Sequence, residues 1–316
     1  MKRGMKDSHV VQFVVAVALI ILTFLGAIIG TFNLLIFQSF TSIDVGIGGD
    51  VIARPFETLM ENVSPFHFTG NAPSGMLDKY SILHALNDDV AGWLKIPNTS
   101  IDTVVVQSRS NNYYLKSDFY GNYTGYGNVY MDYRANTKDL IQNTALYAHT
   151  TVAKEQAFYD LDKYKNPSFF INNPIIEFGT LYSDYKWKVF AVYLTTVKPS
   201  DDNGSVFYYI EPNINKTNFN GYIEQVNQRV FFKTGVDVNS SDKILTLSTC
   251  AYDYGNDINT RLVVSARLLR KGESESVDKN LVKENSNYRR PQVWYDRYGR
   301  YNPYHENVAW KSATYN

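Results

Sequence analysis

Cysteine is nearly absent from this chain: Cys250 is the one thiol in 316 residues. That excludes an internal disulfide framework and leaves too few thiols for a zinc ribbon or an iron–sulfur cluster. An excess of one charge is also missing. Lysine plus arginine total 31, and aspartate plus glutamate total 31. No global field therefore draws the chain toward nucleic acid or anionic lipid, and partners must be recognised locally. Internal repeats and low-complexity tracts are absent too. What is present is 44% hydrophobic and 15% aromatic residues, enough to bury one full core with appendages outside it.

From Val10 to Phe37 the sequence is almost unbroken in apolar residues and carries no charge. At about 1.5 Å per helical residue, about 20 such residues cross the hydrocarbon of a bilayer, so this run spans with length to spare. It is too long for a signal-peptide core and ends in Leu34, Leu35, Ile36 and Phe37 rather than at a small-residue cleavage site. An uncleaved single-pass anchor is expected over 10–37. Lys2, Arg3 and Lys6 precede it, while Asp44 and Asp50 follow. The positive-inside rule then puts residues 1–9 in the cytoplasm and everything beyond the anchor outside the cell. There an unpaired thiol is a liability unless it is sheltered or working. Two readings of Cys250 are open at this point, a small buried hydrophobe and a functional nucleophile.

Residues 38–76 mix glycines and prolines with short apolar patches and read as an extracellular stalk, with a short helix around Phe56 to Glu61. Leu77, Tyr80, Ile82, Leu83 and Leu86 fall near helical spacing. After them come short Val-, Ile-, Tyr- and Thr-rich runs: 90–96, 103–107, 128–130, 144–147, 175–181, 186–196, 243–247 and 262–269. Most are bounded by turn residues, so the pattern predicts a mainly β domain of eight strands over 77–270, an antiparallel sandwich or barrel. Phe219, Tyr222, Ile223, Val226 and Val230 predict a helix over 217–232, inserted between the sixth and seventh strands. A polar linker from Lys271 opens a tail over 271–316 that interleaves tyrosine and tryptophan with arginine. Such a tail can stack on nucleic acid, which an extracellular location disfavours, or wrap the domain surface.

A cysteine nucleophile needs a group to move its proton and donors for the oxyanion it creates. Cys250 follows the strand Ile244 to Thr249 and precedes a polar loop. Arg261 opens the next strand, where an antiparallel pairing sets it beside the thiol; a surface strand residue is its ordinary role. Of five histidines, only His149 ends a strand of the β region, after Thr144 to Ala148. It is the candidate acid/base, against an equally ordinary structural role. Asp253 and Asp257 are acids that can orient it.

Thr246-Leu-Ser-Thr-Cys250, Arg261-Leu-Val-Val264 and Tyr147-Ala-His149 together resemble the sortase signature. Val90 to Pro97, Tyr113 to Leu115, Asp118 to Gly121 and Tyr130 to Arg134 resemble its class B pattern, and the resemblance runs through about residues 80–270. It implies an eight-stranded sortase β-barrel with peripheral helices, one N-terminal and one between the sixth and seventh strands, preceded by one transmembrane helix. The implied activity is acyl transfer. Cys250 attacks the threonine carbonyl of a C-terminal sorting signal on a surface protein, and an amine of peptidoglycan or its precursor resolves the thioester. His149 serves as acid/base and Arg261 as oxyanion holder. Asn111, Leu115, Tyr222, Ile223, Ser248 and Thr249 are the implied substrate-binding residues. No metal, cofactor or nucleic acid is implied. The pattern departs at Thr150, and at Ala251 and Tyr252, which stand where acidic residues are common. A secreted cysteine hydrolase and a non-enzymatic, membrane-tethered wall-binding β module are the competing readings.

Overall fold

The computed structural model describes residues 72–150, 158–305 and Trp310. The expected cytoplasmic terminus, the membrane anchor, most of the stalk and its short helix lie outside the described residues. Among those described, no helix is long and apolar enough to cross a membrane.

The strands are β1 (Val90–Lys95), β2 (Asp102–Val106), β3 (Tyr130–Met131), β4 (Asn143–Tyr147), β5 (Ile175–Thr180), β6 (Lys186–Thr196), β7 (Phe232–Lys233), β8 (Ile244–Ala251), β9 (Thr260–Leu268) and β10 (Lys283–Glu284). Eight of them close a barrel in the order β1-β2-β3-β4-β8-β9-β6-β5, and β7 pairs with β10 in a separate ribbon. The predicted strands match these eight closely. β8, however, runs on to Ala251 and β9 starts at Thr260. The apolar runs stop sooner because β8 continues through Ser248, Thr249 and Cys250 and β9 opens with Thr260 and Arg261, residues that break the apolar pattern but stay in the ladder.

Most neighbours are antiparallel, but β2 and β3 are parallel, and so are β4 and β8, with Tyr147 opposite Ser248. Their C-terminal ends therefore reach the same rim. The strand period of two then sorts side chains by face. Leu245, Leu247, Ala251, Leu262 and Val264 fill the barrel interior with Trp187, Val192 and Leu146. Ile244 and Val263 belong to a second cluster outside, under the connection between β6 and β8.

The helices are α1 (Ser81–Leu86), α2 (Pro167–Asn172), α3 (Lys216–Arg229) and α4 (Gln292–Arg297). Asn215 caps α3 by accepting from the Asn218 N–H at 2.9 Å, and Phe219, Tyr222 and Val226 bury its apolar stripe on the outer cluster. The helix ends before the predicted residue 232 because Val230 bridges to Tyr193 and the Phe231 N–H donates to the Val192 carbonyl at 3.0 Å. The sheet captures the chain there. α2 was not expected: with six residues it is too short to show a period. Its signal is local, Asn166 capping at 2.8 Å followed by Pro167 at the first turn.

The tail lies on the domain. Tyr295 is buried, and Tyr288 and Trp294 pack against the main core.

Candidate active site

Ile244, Thr246, Ser248 and Cys250 share the outer face of β8. The first three are covered: Thr246 Oγ1 donates to Asn143 Oδ1 at 2.8 Å, and Ser248 Oγ lies 2.8 Å from the Tyr209 hydroxyl. The cover stops one step later. Of the eight residues in β8, Cys250 alone is not buried, so strand alternation delivers the thiol to the surface just past the β6–β8 connection.

Arg261 is the ladder partner of Cys250. Residues directly opposite in an antiparallel pair present their side chains to the same face within about 5 Å at Cβ. Arg261 is held by its own loop: Nη1 donates to Asn259 Oδ1 at 2.6 Å and to the Thr260 carbonyl at 2.9 Å. Among the described residues Nε and Nη2 make no hydrogen bond, so one edge of the guanidinium fork is open. On the other side of β8 the parallel register ends at the Tyr147–Ser248 pair, two residues before His149 on one strand and Cys250 on the other. Thr249 Oγ1 donates to the Ala148 carbonyl at 2.8 Å, which ties the two strand ends together.

Among the described residues His149 makes no hydrogen bond to an acid. Its Nε2 lies 2.8 Å from the Leu115 carbonyl oxygen. A carbonyl only accepts, so this nitrogen carries a proton and Nδ1 is left for proton exchange. The carboxylates expected to orient the histidine are engaged elsewhere: Asp253 with Lys165 at 2.6 Å and Asp257 with Arg297. Spacing alone could not separate these partners, because both cations come from distant segments.

A polar network flanks the histidine strand. The Tyr147 hydroxyl donates to Asp132 at 2.8 Å, and Arg134 grips Asp132 through Nε at 2.7 Å and Nη2 at 2.8 Å. Burial opposes the charge on Asp132, but the Arg134 and Tyr147 hydrogen bonds outweigh it and hold the carboxyl below its usual range. Burial pushes Tyr147 well above the usual tyrosine value, as it does Tyr130 and Tyr209, which also feel the charges of Cys250 and Arg261. Tyr130, Tyr147 and Tyr209 are thus neutral phenols. Asp132, Tyr209 and Asn259 had no signal as site residues in periodicity; the Tyr130 to Arg134 motif was the only pointer to the first.

The six residues implied for substrate binding are scattered. Asn111 donates to Asp132 at 3.1 Å and accepts from the Tyr133 N–H at 3.0 Å, so it braces the network. Leu115 meets the site through its backbone. Ser248 and Thr249 are buried beneath the thiol. Tyr222 is fully buried and donates to the Tyr209 carbonyl at 3.0 Å, so it supports the site from the core and has no open face. Its apolar spacing marks the helix face that packs, not one that lines a cleft. Ile223 borders a hollow of about 480 Å³ on the outside of α3 with Lys233 and Tyr304. Neither this hollow nor a second of about 510 Å³ along residues 159–166 includes Cys250, His149 or Arg261. Among the described residues, no group of three or more His, Cys, Asp or Glu side chains is placed to hold a metal ion.

Comparison with known proteins adds to this geometry. The sortase domain family matches residues 94–269. Sortase B of Listeria monocytogenes is 33% identical over 205 residues, 64% of this chain and 79% of that protein. Sortase B of Staphylococcus aureus is 33% identical over 193 residues, 61% of this chain and 75% of that protein. A solved Staphylococcus aureus sortase B–substrate complex superposes with a TM-score of 0.56 at 29% identity, covering 69% of this chain and 92% of that one.

Proposed function

The chain belongs to the sortase family, as a cysteine transpeptidase of the sortase B type, and from that premise we propose that Cys250, His149 and Arg261 carry the reaction. The observation behind this reading is the shared rim: parallel β4 and β8 end, and antiparallel β9 begins, side by side, with Cys250 paired to Arg261 and His149 just past the end of β4. A cysteine transpeptidase needs a thiol, and the chain has one.

As the Cys250 thiol passes its proton to His149 Nδ1, its sulfur attacks the threonine carbonyl carbon of a sorting signal near the C-terminus of a surface protein. The C–S bond forms as the carbonyl π pair moves to oxygen, where the open edge of Arg261 donates hydrogen bonds to the oxyanion. Collapse breaks the C–N bond, and the leaving amine takes a proton from His149. The thioester is then attacked by an amine of peptidoglycan or its precursor. His149 accepts that amine's proton and passes it to the departing sulfur as the C–S bond breaks, which restores the thiol. Arg261 suits the oxyanion role because its charge is permanent and its planar fork can donate twice.

In this reading residues 10–37 anchor the enzyme with its N-terminus in the cytoplasm and its catalytic domain outside the cell, facing the wall. That a similar protein was solved as a sortase B–substrate complex supports a substrate-binding role for this domain. The test is incubation with threonine-containing signal peptides, with and without an oligoglycine or diaminopimelate-type amine. An amide-linked product that needs Cys250 is expected. Cleavage with water as the acceptor throughout would contradict the proposed amine step.

A further inference from the structure

The segment after β9 lies beyond the residues matched by the sortase domain family, yet its described residues are fastened to the domain at several points. β10 pairs with β7. Arg289, 5% exposed, donates from Nη2 to Asp202 Oδ2 at 3.0 Å, and the Gln292 N–H donates to Oδ1 of the same carboxylate at 3.1 Å. These anchors set α4, whose last residue is Arg297.

Arg297 reaches the loop that joins β8 to β9. Its Nη1 donates to the Tyr254 carbonyl at 2.5 Å, and its Nη2 donates to the Asp257 carboxylate. Gly255, between them, has φ +103°, and a Cβ there would stand 2.7 Å from Asp257 Oδ1 and 2.9 Å from Arg297 Nη1. The loop is shaped around the guanidinium. Tyr254 and Ile258 are buried, and Lys165 holds Asp253 from the other side. This short connection carries Cys250 just before it and Arg261 just after it, and Asn259 within it orients Arg261.

We infer that Arg297 is a positioning residue for transpeptidation: by clamping Tyr254 and Asp257 it fixes the loop whose Asn259 orients the Arg261 guanidinium. The inference rests on the roles proposed for Cys250 and Arg261. Its physical basis is twofold. An unclamped loop would let Asn259 and Arg261 drift, and small displacements at a reacting centre cost rate steeply. A released Asp257, four residues from Arg261, would also compete for its guanidinium. The Arg297–Asp257 pair is itself exposed, at 36% and 70% of its side chains, so it adds little to stability. Its effect is expected on the reaction instead.

The test uses the full-length enzyme with Arg297→Gln, Arg297→Lys and Asp257→Ala. The readouts are iodoacetamide alkylation of Cys250, kcat and KM for a cleaved signal peptide, and the melting temperature. Arg297→Gln is expected to lower alkylation rate and kcat about tenfold with KM within about twofold. Asp257→Ala should lower both about threefold, and Arg297→Lys should recover part of the loss because it restores one donor. Melting temperatures should stay near wild type. Folded Arg297→Gln and Asp257→Ala enzymes with wild-type rates would overturn the inference. So would a loss in Arg297→Gln that tracks a lowered melting temperature and is absent from Asp257→Ala, whose exposed side chain leaves folding intact. Cys250→Ala separates this from the premise: if it still turns over peptide, the reading of the site fails, whereas an inactive Cys250→Ala beside unaffected loop variants sinks the positioning role alone.

Discussion

Cys250 and Arg261 are direct partners in the antiparallel β8–β9 ladder, at the rim where the outer face of the barrel loses its cover. The ladder fixes the two backbones, and Asn259 and the Thr260 carbonyl hold the guanidinium, so the cation is in place before substrate arrives. Preorganisation of this kind is where oxyanion stabilisation draws its strength.

Removal of Arg261 should therefore act on the chemical step. Arg261→Ala is expected to lower kcat by about 100- to 1,000-fold with KM little changed. Arg261→Lys should recover only a small part, since an ammonium cannot reproduce the fork that Asn259 and Thr260 orient. Steady-state kinetics with a cleaved signal peptide, alongside circular dichroism to show folding, checks both.

The histidine and its partner make a contrasting pair of predictions. His149→Ala should cost about 100- to 10,000-fold in kcat. Leu115→Ala should leave kcat within about threefold of wild type, because His149 is oriented by the backbone carbonyl of Leu115 and not by its side chain. A matched kinetic comparison of the two variants decides.

Tyr222 tests what the core contributes. Loss of its hydroxyl in Tyr222→Phe leaves the Tyr209 carbonyl without that donor and should cost about 1 kcal/mol of stability. KM for peptide should not change, since the ring has no exposed surface. Denaturant melts and kinetics read the two effects separately.

At the opposite end of β9, Arg267, 1% exposed, is gripped by both oxygens of Glu273 at 2.7 and 2.8 Å. The Arg267 hydrogen bonds, helped by Lys188 and opposed by burial, hold the Glu273 carboxyl down to about 2. A carboxyl lowered by folding contributes stability that is complete above its ordinary value of 4.5 and is lost as pH falls toward about 2. Thermal melts should drop over that window, and Glu273→Gln should flatten the drop. Activity at neutral pH should survive the change.

Much of this was legible in the residues. The eight barrel strands and α3 follow from alternation and helical spacing, and Cys250, His149 and Arg261 stand out through motif and strand position. What the chain order hides is contact at a distance. The parallel β4–β8 pairing joins residues about a hundred apart, and it alone brings the end of β4, just before His149, beside the thiol's strand. The partner of His149 is a backbone carbonyl, which no side-chain pattern can announce. Asp253 and Asp257 look like orienting acids because they follow the cysteine, but Lys165 and Arg297 claim them. Tyr222 and Ile223 are neighbours in sequence on one helix, yet one faces the core and the other a surface hollow.

The claim that Cys250 is the acylated nucleophile is tested most directly by mass spectrometry of the intact enzyme after brief exposure to a signal peptide. A hydroxylamine-sensitive adduct on Cys250, carrying the peptide up to its threonine and absent from Cys250→Ala, is the predicted result. Peptide cleavage by Cys250→Ala at the wild-type rate, with no adduct on the thiol of the wild-type enzyme, would contradict it.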